Sequence, residues 1–270
     1  PHALGEPATS INRWYLKLKS ELLPYTYSFA KEAVTGMPLI RAMFLEYPNA
    51  YTLGTATQYQ FMYGTDFLVA PIYKATKADA EGNDIRDGIY LPEGEWIDYF
   101  TGEKYQGNCV LNNFAAPLWK LPVFVKNGAI IPMTNPNNNV AEINKGLRIY
   151  EIYPYKHMMT VEYDDDGISE AYKEGRPTQG DFDGFVKEKA TEFRVNVTAK
   201  PKKVSAQIGK GKVKLTEVSS MDDFRKGENV YFYDAAPNLN KFATKDSEFE
   251  KKVITKNPQV LVKLAATDIT

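Results

Sequence analysis

One cysteine, Cys109, stands alone in the 270 residues, so no internal disulfide can form. Nothing around it has metal-ligand spacing, and its expected state is a buried or half-buried thiol in a strand. There are two histidines, His2 and His157, too far apart in sequence to suggest a metal cluster. The formal net charge is −1. That leaves no electrostatic case for binding nucleic acid or an acidic membrane surface. No apolar run approaches the ~20 residues that cross a bilayer, so no membrane span is expected. The chain opens on Pro1 without a signal-peptide pattern, and no repeat or low-complexity tract is visible.

What is present is β-rich. The chain is long enough for two domains of ordinary size. Tyrosine is abundant at 18 residues; it suits strands generally. The most informative stretch is Gly88 to Met133, GIYLPEGEWIDYFTGEKYQGNCVLNNFAAPLWKLPVFVKNGAIIPM. Short β-prone runs alternate there with Gly, Pro and Asn, the pattern of a sandwich or barrel. Ile89–Leu91 reads as a strand, with Trp96–Phe100 as its return. Val123–Val125 and Ala129–Ile131 read as a hairpin across Asn127-Gly128, the strongest two-residue hairpin signal.

Upstream, residues 1–9 are loop-like and a helix follows, with Thr9 or Ser10 as its cap. Ile11, Trp14, Tyr15, Leu18, Leu22, Tyr25 and Phe29 recur at three- and four-residue steps and make one apolar face. Pro24 should kink this helix or split it after Leu23, and Gly36 suits its stop. Met37–Tyr47 reads as a strand, Thr55–Tyr63 as a helical turn, Asp66–Tyr73 as a buried strand and Lys74–Asp87 as a surface loop. TNPNNN, residues 134–139, is the candidate domain boundary. Beyond it, strands are expected at Leu147–Tyr153, Met158–Tyr163, Phe193–Ala199, Asn229–Asp234 and Gln259–Leu264, with a turn at Gly209–Gly211 between two more. Met221–Lys226 is charged and ambiguous.

YLPEGEWIDYFTGEKYQG and LPVFVKNGAIIPM resemble the β-sandwich that follows the catalytic barrel in glycoside hydrolase family 31, the α-glucosidases, α-xylosidases and related α-glucosyltransferases. The likeness extends through LLPYTYSFAKEAVTGMPLIRAMFLEYP, YQFMYGTDFLVAPIY and VEYDDDGISEAY. It covers roughly residues 10 to 175. RDGIYLP to MTNPNNN looks most like bacterial members acting on α-1,6- and α-1,3-linked glucans, including cycloalternan-type glucosyltransferases. The resemblance implies a mainly β fold: two β-sandwich domains in tandem behind a long N-terminal helix left over from a (β/α)8 barrel. The domains would be 1–36, 37–134 and 135–270. It also implies that the helix face packs on barrel strands this chain lacks, and that Pro1 lies inside a longer parent. The implied partners are that upstream barrel and an α-glucan or oligosaccharide substrate. No cofactor is implied, and a secreted or cell-surface bacterial setting is favoured over a cytoplasmic one.

Retaining glycosidases need two carboxyls about 5–5.5 Å apart. The family supplies both as Asp on barrel strands, and no segment here matches either. Trp96-Ile97-Asp98 echoes the W-x-D nucleophile segment superficially, but Tyr99-Phe100-Thr101-Gly102 follows it in a hairpin, so Asp98 reads as a turn residue. The fragment alone is expected to be inactive. His2 and Glu6 sit where the last barrel loop approaches the cleft and are the candidate substrate contacts. Asp164-Asp165-Asp166-Gly167 reads as a tight turn, with a calcium site as the alternative; its spacing is not that of an EF-hand. Trp14, Trp96 and Trp119 read as packing residues before sugar platforms. Asn196-Val197-Thr198 fits a glycosylation sequon but falls in a strand. Two other readings stay open: a stand-alone carbohydrate-binding β-sandwich module, and a purely structural or partner-binding β protein.

Overall fold

The computed structural model describes residues 2–139, 147–156, 158, 160, 162–165, 170, 173, 191–208, 210–239 and 254–265, apart from the side chains of His2 and Ile208. Helix α1 (Ala8–Glu21) follows a short 3-10 turn and is succeeded by α2 (Leu23–Ala33). The break falls at Leu22, just before Pro24, where the proline ring and missing N–H stop a continuous helix. Neither Thr9 nor Ser10 caps α1. The helix begins earlier, at Ala8, with Pro7 in the cap position. The Thr9 hydroxyl donates back to Gly5 O, and the Ser10 N–H donates to the Glu6 carboxylate at 3.3 Å.

The chain then enters β1 (Ile40–Ala42), helical turn α3 (Met43–Glu46), β2 (Phe61–Tyr63), β3 (Phe67–Val69), β4 (Asp84–Arg86), β5 (Ile89–Leu91), β6 (Glu95–Asp98), β7 (Lys104–Gln106), β8 (Cys109–Leu111), β9 (Phe114–Ala116) and β10 (Val123–Lys126). The expected strand Met37–Tyr47 is therefore only half realised. Arg41 pairs with Glu46 and donates to Pro38 O, folding the second half back into α3. A short apolar run does not distinguish strand from helix by periodicity alone.

Strands order as β1-β2-β3-β10-β6-β7 in one six-stranded sheet, faced by the pairs β4–β9 and β5–β8. Two expected pairings are corrected. β5 returns through β8, not through β6. The β6 strand instead pairs with β10 and β7. Val123–Val125 and Ala129–Ile131 do not form a hairpin either. Both edges of β10 are already taken, by β3 and β6, so Asn127-Gly128 turns the chain out of the first sheet. The Asn127 N–H donates to Glu95 O, and Gly128, at φ 98°, donates to Tyr153 O. The turn signal was sound; the strand it feeds belongs to a second sheet.

That sheet comprises β11 (Ile130–Thr134), β12 (Arg148–Ile152), β13 (Thr191–Asn196), β16 (Thr216–Val218), β17 (Val230–Asp234) and β18 (Gln259–Leu264). Its order is β11-β12-β13-β18-β17-β16, with β12–β13 and β16–β17 parallel. The hairpin β14 (Ala206–Ile208) and β15 (Gly211–Val213) forms at the expected glycine turn. Helix α4 (Met221–Lys226) occupies the stretch left ambiguous. The Ser220 hydroxyl caps it, accepting from Asp223 N at 3.1 Å. Met158, Thr160, Glu162 and Tyr163 are irregular where a strand was expected; Ala171-Tyr172, expected to pair back on it, the charged and ambiguous stretch 249–252, and His157 lie outside the described residues.

Packing follows the two-residue alternation of the strands. Leu68, Trp96 and Phe124 point into the sandwich interior with Met43, Met62 and Ile89. Their neighbours Phe67, Ile97 and Val125 point the other way, into a central cluster with Trp14, Tyr25, Ile131, Met133 and Ile149. The first sheet is thus buried on both faces. Ile11, Tyr15, Leu18, Leu22 and Phe29 pack against that same cluster. This corrects the expectation that the helical stripe awaits a barrel: its apolar face is spent on the two sheets of its own chain. Trp14 retains 4% exposure.

Candidate functional site

Of the sequence-derived site residues, the structure places Glu6 on the surface, with its carboxylate accepting the Ser10 N–H. His2 opens the 3-10 turn His2–Leu4. Asp164 accepts from Arg148 Nη2 at 3.0 Å. Asp165 accepts from the hydroxyls of Tyr27 at 2.6 Å and Tyr163 at 2.8 Å. Asp166 lies outside the described residues. Both described aspartates of the acidic turn are thus committed to cation or phenol partners. Among the described residues, no group of three or more His, Cys, Asp or Glu is placed to hold a metal ion.

The tryptophans are packing residues. Trp96 is fully buried and donates to Pro92 O at 2.9 Å. Trp119 is half-buried and meets Trp14 edge-on at 6.4 Å. Asp98 is a turn residue, as expected: its Oδ1 accepts from Phe100 N and Thr101 N, and its Oδ2 accepts from Lys120 at 2.5 Å. The Asn196 side chain turns inward, donating to Ile152 O at 3.0 Å, which is unsuited to a glycosylated asparagine. Cys109 is half-buried in β8, and burial raises its thiol pKa.

Sequence reading missed the charged centre of the molecule. Glu151 on β12 is 3% exposed. It accepts from the Lys256 ammonium, from Tyr153 Oη at 3.0 Å and from Gln259 Nε2 at 3.1 Å. The Tyr99 ring lies 3.9 Å from the Lys256 ammonium. Arg194 and Glu192, ion-paired at 2.6 Å on β13, lie alongside. Burial alone would raise the Glu151 carboxyl, but the Lys256 ammonium and the Tyr153 hydroxyl hold it below the usual glutamate value. A cavity of about 250 Å³ opens beside this group, lined by Trp14, Leu18, Glu21, Glu151, Arg194 and Lys256 among others. The sequence signal was Glu151 interrupting the apolar run IYEIY, residues 149–153, since a charge in a buried strand demands a partner.

The same rule runs through the chain. Asp98 pairs with Lys120, Glu151 with Lys256, Glu162 with Arg148 and Glu192 with Arg194. Each of these four buried carboxylates is locked by a cation, so none is poised as a nucleophile or as a proton donor to a glycosidic oxygen.

Residues 36–131 match the family model described as the glycosyl hydrolase family 31 C-terminal domain. The chain is 32% identical over 239 residues to an isomaltosyltransferase of Sporosarcina globispora, covering 82% of this chain and 20% of that protein. It is 32% identical over 181 residues to alpha-glucosidase 2 of Bacillus thermoamyloliquefaciens, covering 65% and 21%. A family 31 dextranase of Flavobacterium johnsoniae complexed with glucose superposes with TM-score 0.70 at 26% identity, over 97% of this chain and 34% of that one. The cycloalternan-forming enzyme from Listeria monocytogenes gives TM-score 0.67 at 26% identity, over 96% and 24%. The chain spans about a fifth of the length of the curated relatives it matches.

Proposed function

This chain carries the C-terminal domain of glycoside hydrolase family 31, and on that premise we propose that it is a non-catalytic portion of a retaining enzyme acting on α-linked glucosides. The observation that carries this reading is the state of four buried acids: Asp98, Glu151, Glu162 and Glu192 are each closed by a lysine or arginine. The reaction would be hydrolysis or α-glucosyl transfer. Double displacement through a covalent glycosyl-enzyme needs one free carboxylate and one protonated carboxyl across the sugar. In this reading an upstream (β/α)8 barrel supplies both, and an α-glucan or oligosaccharide lies in its cleft.

The role of the present chain is then to buttress the barrel and wall one side of that cleft. α1 and α2 would be the last barrel helix, and the division 1–36, 37–134 and 135–270 stands as the proposed organisation. β11 is the strand the first sandwich contributes to the second sheet. With the inner stripe consumed by the chain's own core, the outward Leu4 and Leu16 on the helical side, and Leu118 beside the Tyr15–Trp119 hydrogen bond, form the surface left for the barrel. His2 and Glu6 are retained as the residues nearest the substrate, and 164–167 as a turn in preference to a calcium site.

A stand-alone carbohydrate-binding module is the second reading. It is favoured by partly exposed tyrosines, Tyr51 against Tyr90 and Tyr59 against Tyr73. Affinity electrophoresis in dextran separates the two. Unretarded migration of this chain supports the barrel-supporting role; clear retardation supports the module.

A further inference from the structure

Arg86, on β4, is 6% exposed and forms no ion pair with a carboxylate among the described residues. Its three nitrogens each donate to a backbone carbonyl: Nε to Pro71 O at 3.1 Å, Nη2 to Tyr59 O at 3.3 Å, and Nη1 to Asp87 O. A guanidinium has five N–H donors, so two remain. Every other buried arginine or lysine described above is matched by an acid; this one is held by dipoles alone. Burial pulls it below the usual arginine value, against the opposing influence of Tyr73 and Asp87.

Beside it lies a cavity of about 370 Å³, lined by Arg86, Lys74, Lys77, Tyr73, Asp87 and Asn113 among others. Three cations face it and one carboxylate. That carboxylate, Asp87, accepts the Asn113 N–H at 2.7 Å; the nearby Asp84 is taken by the Thr76 hydroxyl at 2.5 Å. Tyr73, which lines the cavity, is backed by Tyr59 with ring centres 3.7 Å apart, and the guanidinium lies 4.9 Å from the Tyr73 ring centre. A buried, dipole-held cation with spare donors, two exposed lysines and an aromatic rim form a site for a planar or tetrahedral oxyanion on a ring-shaped ligand.

We propose that this cavity binds a sugar bearing an oxyanion substituent, a phosphate, sulfate or carboxylate. Arg86 forms its base, Lys74 and Lys77 provide the charged wall, and Tyr73 meets the sugar ring. The neutral α-glucoside cleft assigned above plays no part in it.

Calorimetric titration of the 270-residue chain at low ionic strength tests this, using glucose 6-phosphate, glucuronate, inorganic phosphate and glucose as probes. Saturable binding of glucose 6-phosphate or glucuronate is expected, at least about tenfold tighter than glucose. The double variant K74E/K77E, both residues exposed, should weaken it by about tenfold or more without changing the melting temperature. Absence of saturable heat with either charged sugar would overturn the proposal. So would equal binding in K74E/K77E, or inorganic phosphate binding as tightly as glucose 6-phosphate. The readout is independent of glycosidase activity, so its failure would leave the family reading untouched.

Discussion

The Glu151 carboxylate and the Lys256 ammonium, 105 positions apart in sequence, meet inside the core and form a buried ion pair. Glu151 stands on β12 and Lys256 precedes β18, so the pair ties the entry to the fourth strand of the second sheet to its second strand, across β13. Both residues are under a tenth exposed. Removing one partner strands the other charge, which costs about 3–5 kcal/mol. Lys256→Met should therefore lower stability in urea unfolding by that amount. Replacing both at once, E151L/K256M, should recover most of the loss. A single variant as stable as the parent would mean the pair is not formed.

The same pair sets the acid limb of stability. The folded Glu151 carboxyl sits below the usual value of 4.5. Its contribution is complete above that value and is lost as pH falls through the folded one. Glu151→Gln should be markedly less stable than the parent at neutral pH. The gap should narrow as pH drops below about 4.5. Urea midpoints measured across that range check it, and a gap constant with pH would contradict it.

Gly64, at φ +61°, is pinned between α2 and β3. A Cβ there would fall 2.3 Å from Tyr25 Oη and 2.7 Å from the Phe29 ring. Tyr25 Oη in turn donates to Tyr63 O at 2.9 Å. Gly64→Ala should cost about 1–3 kcal/mol through strain and overpacking. The near-ultraviolet circular dichroism of the tyrosine cluster should change with it; an unaltered spectrum and midpoint would count against this packing.

Helix α4 depends on one hydroxyl. Ser220→Ala removes the acceptor for Asp223 N and should cost about 1 kcal/mol. Ser220→Asn should restore most of it. Thermal melts of the three proteins decide the point.

These elements show which parts of the fold could be read from the sequence. The helical stripe of Trp14, Leu18 and Leu22, the β14–β15 turn and the strands β17 and β18 are local patterns, and all form where the periodicity places them. Pairing is not local. Asn127-Gly128 announces a turn, but only the occupied edges of β10 decide that its far arm joins another sheet. The parallel contact of β12 with β13 likewise depends on a long connection that no short motif encodes. Ser220 and Asp223 were a readable capping pair, overlooked because the six residues of α4 are too few to show a period. The family motifs in 88–133 pointed directly to the mainly β C-terminal domain that the family model matches. Lys256, in contrast, looks like any surface lysine until β18 brings it to Glu151.

The proposal at the centre of this account is that the chain has no glycosidase chemistry of its own, in keeping with the pairing of Asp98, Glu151, Glu162 and Glu192 to lysine or arginine. Incubating the purified chain with p-nitrophenyl α-glucoside tests it most directly. The account predicts p-nitrophenol release indistinguishable from the buffer blank. Sustained turnover that disappears in Glu151→Gln or Asp98→Asn would contradict it.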